Sequence, residues 1–402
     1  MYHSLKKLKV TSAYEYLEAR FGPSVRVIGS LLFVLFHLGR VAIVIYLTTL
    51  AITAVSDLNT YVVASLVGIL CILYTFLGGF EGVVWSDFIQ GVILLGGVAA
   101  IIILGIVHMK GGMGTVVTDA IDYKKLISAK NWKCNTAAAA IPIIFLGNIF
   151  NNLHQYTASQ DVVQRYQASE SMSETKKSLW MNGVLALISA PLFYDMGTML
   201  YSFYTHESAL PEGFNTSSIV PYFILIEMPP FIAGLLIAAI FAAAQSTISS
   251  SLNSISACLS VDIKHRFFGK GKEKDEVTFA RWMIILSGLF GFGMSIYLIA
   301  SDYNDLWDLF LLITGLVGVP LAGVFAVGIF TKRTNTLGVI CGLALGIIFA
   351  YIFNGIGGGN SPFFVSIISF LVAFIFSYLI SIVIPGKKKD IVGLTIFDIK
   401  EK

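Results

Sequence analysis

Charge is what this sequence has least of. Only 13% of its 402 residues are Asp, Glu, Lys or Arg, against 56% hydrophobic, and a soluble domain carries nearer a quarter. With a mean hydropathy of +0.80, that balance excludes an ordinary soluble domain and points to a membrane protein. Cysteine is scarce too. Cys71, Cys134, Cys258 and Cys341 stand singly, with no CxxC spacing, so neither a disulfide framework nor a cysteine metal centre is expected. Three of them lie in apolar runs as small buried side chains, and Cys134 lies in a loop. No nucleophile–base constellation or phosphate-binding loop is visible, so covalent catalysis is not expected. The net charge of +3 is spread over short loops rather than one patch, which argues against a nucleic-acid partner.

Apolar runs long enough to cross a bilayer are plentiful. Ten are expected, at 25–54, 60–80, 87–108, 138–163, 178–204, 226–260, 279–300, 305–330, 336–355 and 362–384. Several exceed the usual twenty residues, so tilts and breaks are expected, with Pro191, Pro320 and the glycine-rich stretches 291–293 and 315–323 as candidate break points. Ten alternating crossings that start from a cytoplasmic N-terminus put almost all Lys and Arg inside. Lys110, Lys124, Lys125, Lys130 and Lys133 fall outside, and Arg40 falls within the membrane. The positive-inside rule then sets both termini in the cytoplasm of a multi-pass cell-membrane protein.

Two charges sit where they are costly. Arg40 is in the middle of an apolar run, and Asp87 opens another; a charge at membrane depth normally faces a cavity or a partner. A guanidinium suits a carboxylated ligand and a carboxylate suits a cation. For Arg40 the alternative is a structural pair with Asp161 or Asp195. For Asp87 it is an N-cap role, shared with Ser86, for a helix starting at Phe88. In the sixth run Ser246, Ser249, Ser250, Asn253 and Ser254 recur at i, i+3 and i+4, one helical face bordered by Thr247. Clustered hydroxyls offer oxygen ligands to a hard cation, or they merely permit close helix packing. His37, one turn from Arg40, reads as a packing or hydrogen-bonding residue.

These residues also carry a resemblance. Gly78-Gly79-Phe80, Trp85-Ser86-Asp87 and Gln90 are similar to the GG-x(5)-W-[ST]-D-x-x-Q signature of the sodium:solute symporters. The stretch from Phe241 to Asp262 resembles that family's sodium-binding eighth core helix. Tyr16-Leu17-Glu18-Ala19-Arg20-Phe21 resembles its link between core helices two and three, and Gln164-Arg165 the end of core helix six. The resemblance implies an all-α, leucine-transporter-like inverted-repeat fold. It implies a basic cytoplasmic segment over 1–24, the remnant of a first repeat (core helices three to five) over 25–108 and an extracellular loop over 109–137. A second repeat (core helices six to ten) then occupies 138–330, two trailing helices 331–385 and a cytoplasmic tail 386–402. Since YLEARF begins so near residue 1, the resemblance also implies that the earlier core helices are absent.

For function, the resemblance implies sodium-coupled symport by alternating access, not enzymatic catalysis. Co-transported sodium is the only cofactor, and the bilayer is the setting. The common sodium site would use the Ala243 carbonyl and the hydroxyls of Ser246 and Thr247. A second sodium site would use Asp87 with Ser246, Ser249 and Ser250. Arg40 would receive a substrate carboxylate, as in bacterial sialic acid symporters, and Asp161 stands near an inner gate. The substrate expected is a small carboxylated solute, sialic acid first. The alternatives are a sodium/proline or other monocarboxylate symporter, a solute sensor of the same fold, or a fragment that does not transport.

Overall fold

The computed structural model describes residues 11–53, 56, 58–122, 132, 136, 140–169, 171–212, 214, 216–269, 271–301, 303, 305–355, 360–386 and 391–399. Among these residues the regular structure is entirely helical. Among the described residues nine helical spans are long and apolar enough to cross a membrane. The tenth expected run, 138–163, is divided between α5 (Ile141–Thr157) and α6 (Gln160–Gln167), and the 17 residues of α5 are at the lower limit of a spanning length. Cys134, the basic residues before Thr11, and Lys124, Lys125, Lys130, Lys133 and Lys387–Lys389 lie outside the described residues.

The first helix of the described residues is short, α1 (Ala13–Arg20), and is closed by a capping box in which Ser12 and Glu15 satisfy each other's end of the first turn. Its Tyr14, Tyr16 and Leu17 are fully buried. Burial pushes both phenols well above their ordinary pKa, so they stay neutral and donate to the carbonyls of Ala158 (2.7 Å) and Leu394 (3.0 Å). The Arg20 guanidinium donates to three carbonyls, of Gly328, Thr331 and Thr334, which ties α1 to the far end of the chain.

Helix α2 (Pro23–Thr53) carries Arg40 and His37. Helix α3 (Thr60–His108) is one helical element holding two spans, Thr60–Gly78 and Gly82–His108. The Tyr74 hydroxyl donates to the Gly82 carbonyl at 3.1 Å. A straight helix would hold those residues about 12 Å apart along the axis, beyond a tyrosine's reach. The element therefore bends between Tyr74 and Gly82, as helices do where glycine occurs. Asp87 consequently lies inside a helix and not at its start, and Ser86 donates back to Val83 (2.9 Å); the N-cap reading of Asp87 does not hold.

After α4 (Gly112–Asp122), α5 and α6, helix α7 (Met172–His206) runs unbroken through Pro191, and α8 (Ile219–Glu227) leads into α9 (Pro230–Cys258). Helix α9 continues through a π-helical turn at Leu259–Lys264, a break that composition did not mark. Helix α10 (Glu273–Ala300) is continuous across 291–293, contrary to expectation. A Cβ on Gly291 would come within 2.5 Å of Val41, so this glycine serves close packing against α2 instead of a break. The expected break at 315–323 is present: α11 (Leu306–Ile313) passes through a π-turn, Thr314–Gly318, into α12 (Val319–Phe330), with Pro320 in the new first turn.

The trailing pair, α13 (Thr336–Gly355) and α14 (Pro362–Val383), pack through a stripe of small residues. A Cβ at Gly338, Gly342 or Gly346 would meet Ser381, Ser377 or Ala373 at 2.0–2.9 Å. Spacing of four residues brings the two backbones together, which is how helices associate where lipid removes the hydrophobic drive.

Candidate functional site

Four helices, α2, α3, α6 and α9, bring the predicted residues together. Asp87 of α3 faces α9, where Ser246 donates to its Oδ1 at 2.5 Å and Ser250 to its Oδ2 at 3.3 Å. The two serines are four residues apart, hence about 40° apart around the axis, and Ser249 lies about 60° to the other side of Ser246. Ser249 is fully buried and donates to the Ser246 carbonyl at 3.2 Å. The predicted quartet is thus a trio in this geometry, with Ser249 turned into the α9 packing. Ser254 continues the polar face toward α6, donating to Gln164 Oε1 at 3.2 Å. Beyond Asp87 on α3, the buried Gln90 Oε1 has no hydrogen-bond partner, a spare oxygen one turn away.

Ala243 and Thr247 meet as neighbours on one turn, the Thr247 hydroxyl donating to the Ala243 carbonyl at 3.2 Å. With Ser246 beside them, one carbonyl and two hydroxyls stand within five residues, a neutral oxygen set of the kind a monovalent cation takes.

Helix α6 completes the site, and sequence reasoning gave its Arg165 no role. Arg165 Nη2 lies 2.6 Å from Asp87 Oδ2 and 3.1 Å from Ser250 Oγ. Its side chain is 45% exposed, that of Asp87 18%. The available signal was the Gln164-Arg165 pair, which served only as a family marker. Asp161, one turn earlier on α6, approaches Arg40 Nη1 at 3.5 Å. That is the structural pairing held open for Arg40. The other candidate, Asp195, sits on the exposed side of α7. Asp161 is oriented by a 2.5 Å bond from Ser159 Oγ and a 3.0 Å bond from the Val162 N–H. Ser159 also meets His37 Nε2 at 3.3 Å, so His37 is a buried hydrogen-bonding residue behind the Arg40 pair. Asp161, Gln164, Arg165, Ser250, Asn253 and Ser254 line one cleft with room for only about 10 Å³, roughly a single water molecule.

A second charged cluster lies at the π-turn that continues α9 beyond Cys258. Arg26 of α2 donates from Nε to Asp262 (2.7 Å), from Nη1 to Glu18 (2.6 Å) and from Nη2 to the Val261 carbonyl (2.9 Å). Ser12 donates to the other Asp262 oxygen at 2.7 Å. Asp262 belongs to the π-turn and its side chain is 0% exposed. Sequence reasoning gave Asp262 no role beyond the family pattern.

Comparison with known proteins fits this geometry. The sodium:solute symporter family pattern matches residues 2–346. The sodium/sialic acid symporter SiaT of Proteus mirabilis is 45% identical over 345 residues, 85% of this chain and 70% of that protein. The sodium/sialic acid symporter NanT of Aliivibrio fischeri is 43% identical over 84% of this chain and 68% of its own length. Human sodium-coupled monocarboxylate transporter 1 is 32% identical over 89% of the chain, which spans 58% of that protein. A solved structure, described as the substrate-bound outward-open state of a Na+-coupled sialic acid symporter with a novel Na+ site, superposes with a TM-score of 0.89. It is 41% identical and covers 96% of this chain, which matches 80% of the solved one.

Proposed function

The chain belongs to the sodium:solute symporter family, and from that premise we propose that it couples inward sodium flow to the uptake of a carboxylated sugar of the sialic acid class. The family and these relatives are transporters, not enzymes. The observation that carries the reading is the Asp87–Ser246–Ser250 cluster, a carboxylate at membrane depth wrapped by hydroxyls from one helix. It sits one α6 turn away from a second intramembrane charge, Arg40.

In this reading the Ala243 carbonyl, Ser246 and Thr247 contribute to one sodium site, and Asp87, Ser246 and Ser250 to a second. Arg40 takes the substrate carboxylate in a two-pronged contact, and Asp161, its present partner, acts as a gate. Sodium favours the outward-open state because it binds that state more tightly, the only way a ligand shifts a conformational equilibrium. The basic residues support cytoplasmic termini.

The test is uptake of labelled N-acetylneuraminate into proteoliposomes under an inward sodium gradient. Uptake should vanish with potassium in place of sodium and on Arg40→Ala. Sodium-independent uptake would refute the coupling. Binding without flux would favour a sensor. A monocarboxylate relative at 32% identity supports a second reading, so lactate and proline serve as competitors; either displacing the sugar at equal concentration would reassign the substrate.

A further inference from the structure

Helix α6 is eight residues long, yet it supplies the present partner of both proposed ligand-binding charges. Asp161 sits on Arg40 and Arg165 sits on Asp87. A carboxylate on Arg40 is chemically what a sialic acid would bring. A cation held by a carboxylate and serine hydroxyls is chemically what sodium would bring. Asp161 and Arg165 are four residues apart, one helical turn, and line the same cleft.

We propose that α6 is an internal stand-in for both ligands. Without cargo, Asp161 occupies the carboxylate position at Arg40 and Arg165 the cation position at Asp87. Sodium and substrate together displace the two, which then pair with each other across one turn of α6. This rests on the assignment of Arg40 and Asp87 above.

Charge counting shows why displacement is joint. Arg40, Asp87, Asp161 and Arg165 sum to zero as two pairs. Sodium alone would expel Arg165 while its natural new partner, Asp161, stays engaged at Arg40, leaving one excess positive charge. Substrate alone would leave one excess negative charge. Substrate and the sodium at Asp87 together give three neutral pairs, a count that leaves out any sodium at the uncharged Ala243–Ser246–Thr247 set: Arg40 with substrate, Asp87 with its sodium and Asp161 with Arg165. The last is an acid N-terminal to a base at i,i+4, the favourable order on a helix. Excess charge is costly away from bulk water, so each ligand lowers the cost of binding the other. That coupling is reciprocal.

The contacts suit exchange. The Arg40–Asp161 separation of 3.5 Å is longer than a charge-assisted hydrogen bond of about 2.7–2.9 Å. Arg165 reaches its partners through one nitrogen, Nη2, from a half-exposed side chain. The bonds from Ser159 and Val162 keep Asp161 in place when Arg40 leaves it.

The test is calorimetric sodium titration of the purified full-length protein, with and without saturating N-acetylneuraminate. In the wild type the sugar should tighten sodium. Arg165→Gln should bind sodium about two- to fivefold more tightly without the sugar, the scale of a partly exposed pair. It should also bring the tightening by sugar close to one. Asp161→Asn should tighten the sugar in the absence of sodium and shrink the same factor, while Arg165→Lys, which keeps the charge, should stay near wild type. A purely structural role predicts lower thermal stability without tighter sodium. Unchanged or weaker sodium binding in Arg165→Gln, or undiminished coupling in both variants, overturns the proposal. Asp87→Asn separates the levels: if it leaves sodium binding intact, the second sodium site falls and the proposal with it. If it removes one sodium while Arg165→Gln tightens nothing, the site stands and the stand-in role fails.

Discussion

The middle of α9, around Ser246 and Ser250, and the π-turn at its C-terminal end meet arginine–aspartate pairs of opposite character. At the π-turn, Arg26 spends Nε, Nη1 and Nη2 on three different partners, and both Asp262 oxygens are taken, one by Arg26 and one by Ser12. At Asp87, Arg165 works through one nitrogen, and the neighbouring Arg40–Asp161 pair is long. A buried charge that has all its bonds is expensive to disturb, because removing one partner strands the other. A pair whose arginine is half-exposed, as at Arg165, or whose contact is long, as at Arg40, is cheaper to open. The same residue types therefore build a fixed joint between α1, α2 and the π-turn after α9, and a replaceable arrangement beside the middle of α9.

The comparison can be broken most directly at the fixed joint. Asp262→Ala should cost about 3–5 kcal/mol, read as a large drop in the thermal unfolding midpoint in detergent, and Asp161→Asn should cost much less. Equal losses would erase the distinction. A finer cut lies within the α9 serines: Ser250→Ala should weaken sodium activation of uptake about fivefold, the loss of one hydrogen-bonding ligand at about 1 kcal/mol. Ser249→Ala should change it by less than about twofold. The reverse order would return Ser249 to the sodium shell and displace Ser250.

The smallest effect concerns a third acid, Asp119 of α4, whose two oxygens lie 3.0 Å from His206 Nε2. That hydrogen bond holds the Asp119 carboxyl below its ordinary range, against the opposing effect of burial. A depressed folded-state value stabilises above the unfolded pKa of about 3.9 and is lost as pH falls through the folded one. Protection of the α4 amides, corrected for intrinsic exchange, should accordingly stay level from pH 7 to 5 and fall only in stronger acid. A fall already at pH 6 would show that the carboxylate does not govern this contact.

Much of the site was legible because it is local. Asp87 and Gln90 stand in a fixed motif, Ser246 and Ser250 follow helical spacing, and Arg40 is conspicuous in an apolar run. Composition alone determined that the chain is a bundle of membrane helices, since a backbone in lipid must satisfy its hydrogen bonds within its own segment. Other features were beyond pattern reading. Whether Gly291 breaks a helix or admits Val41, and whether Asp87 caps a helix or lies within one, depends on which neighbour arrives. Ser249 shares a 100°-wide stripe with Ser250, but one carboxylate reaches only one edge of that stripe. The pairs Arg40–Asp161 and Asp87–Arg165 join residues 121 and 78 positions apart. Sequence by itself singled out Arg40 and Asp87 as charges in apolar runs, because hydropathy and spacing are properties of neighbouring residues. Only the tertiary structure decided which charge meets which, because that choice is made by the packing of helices distant along the chain.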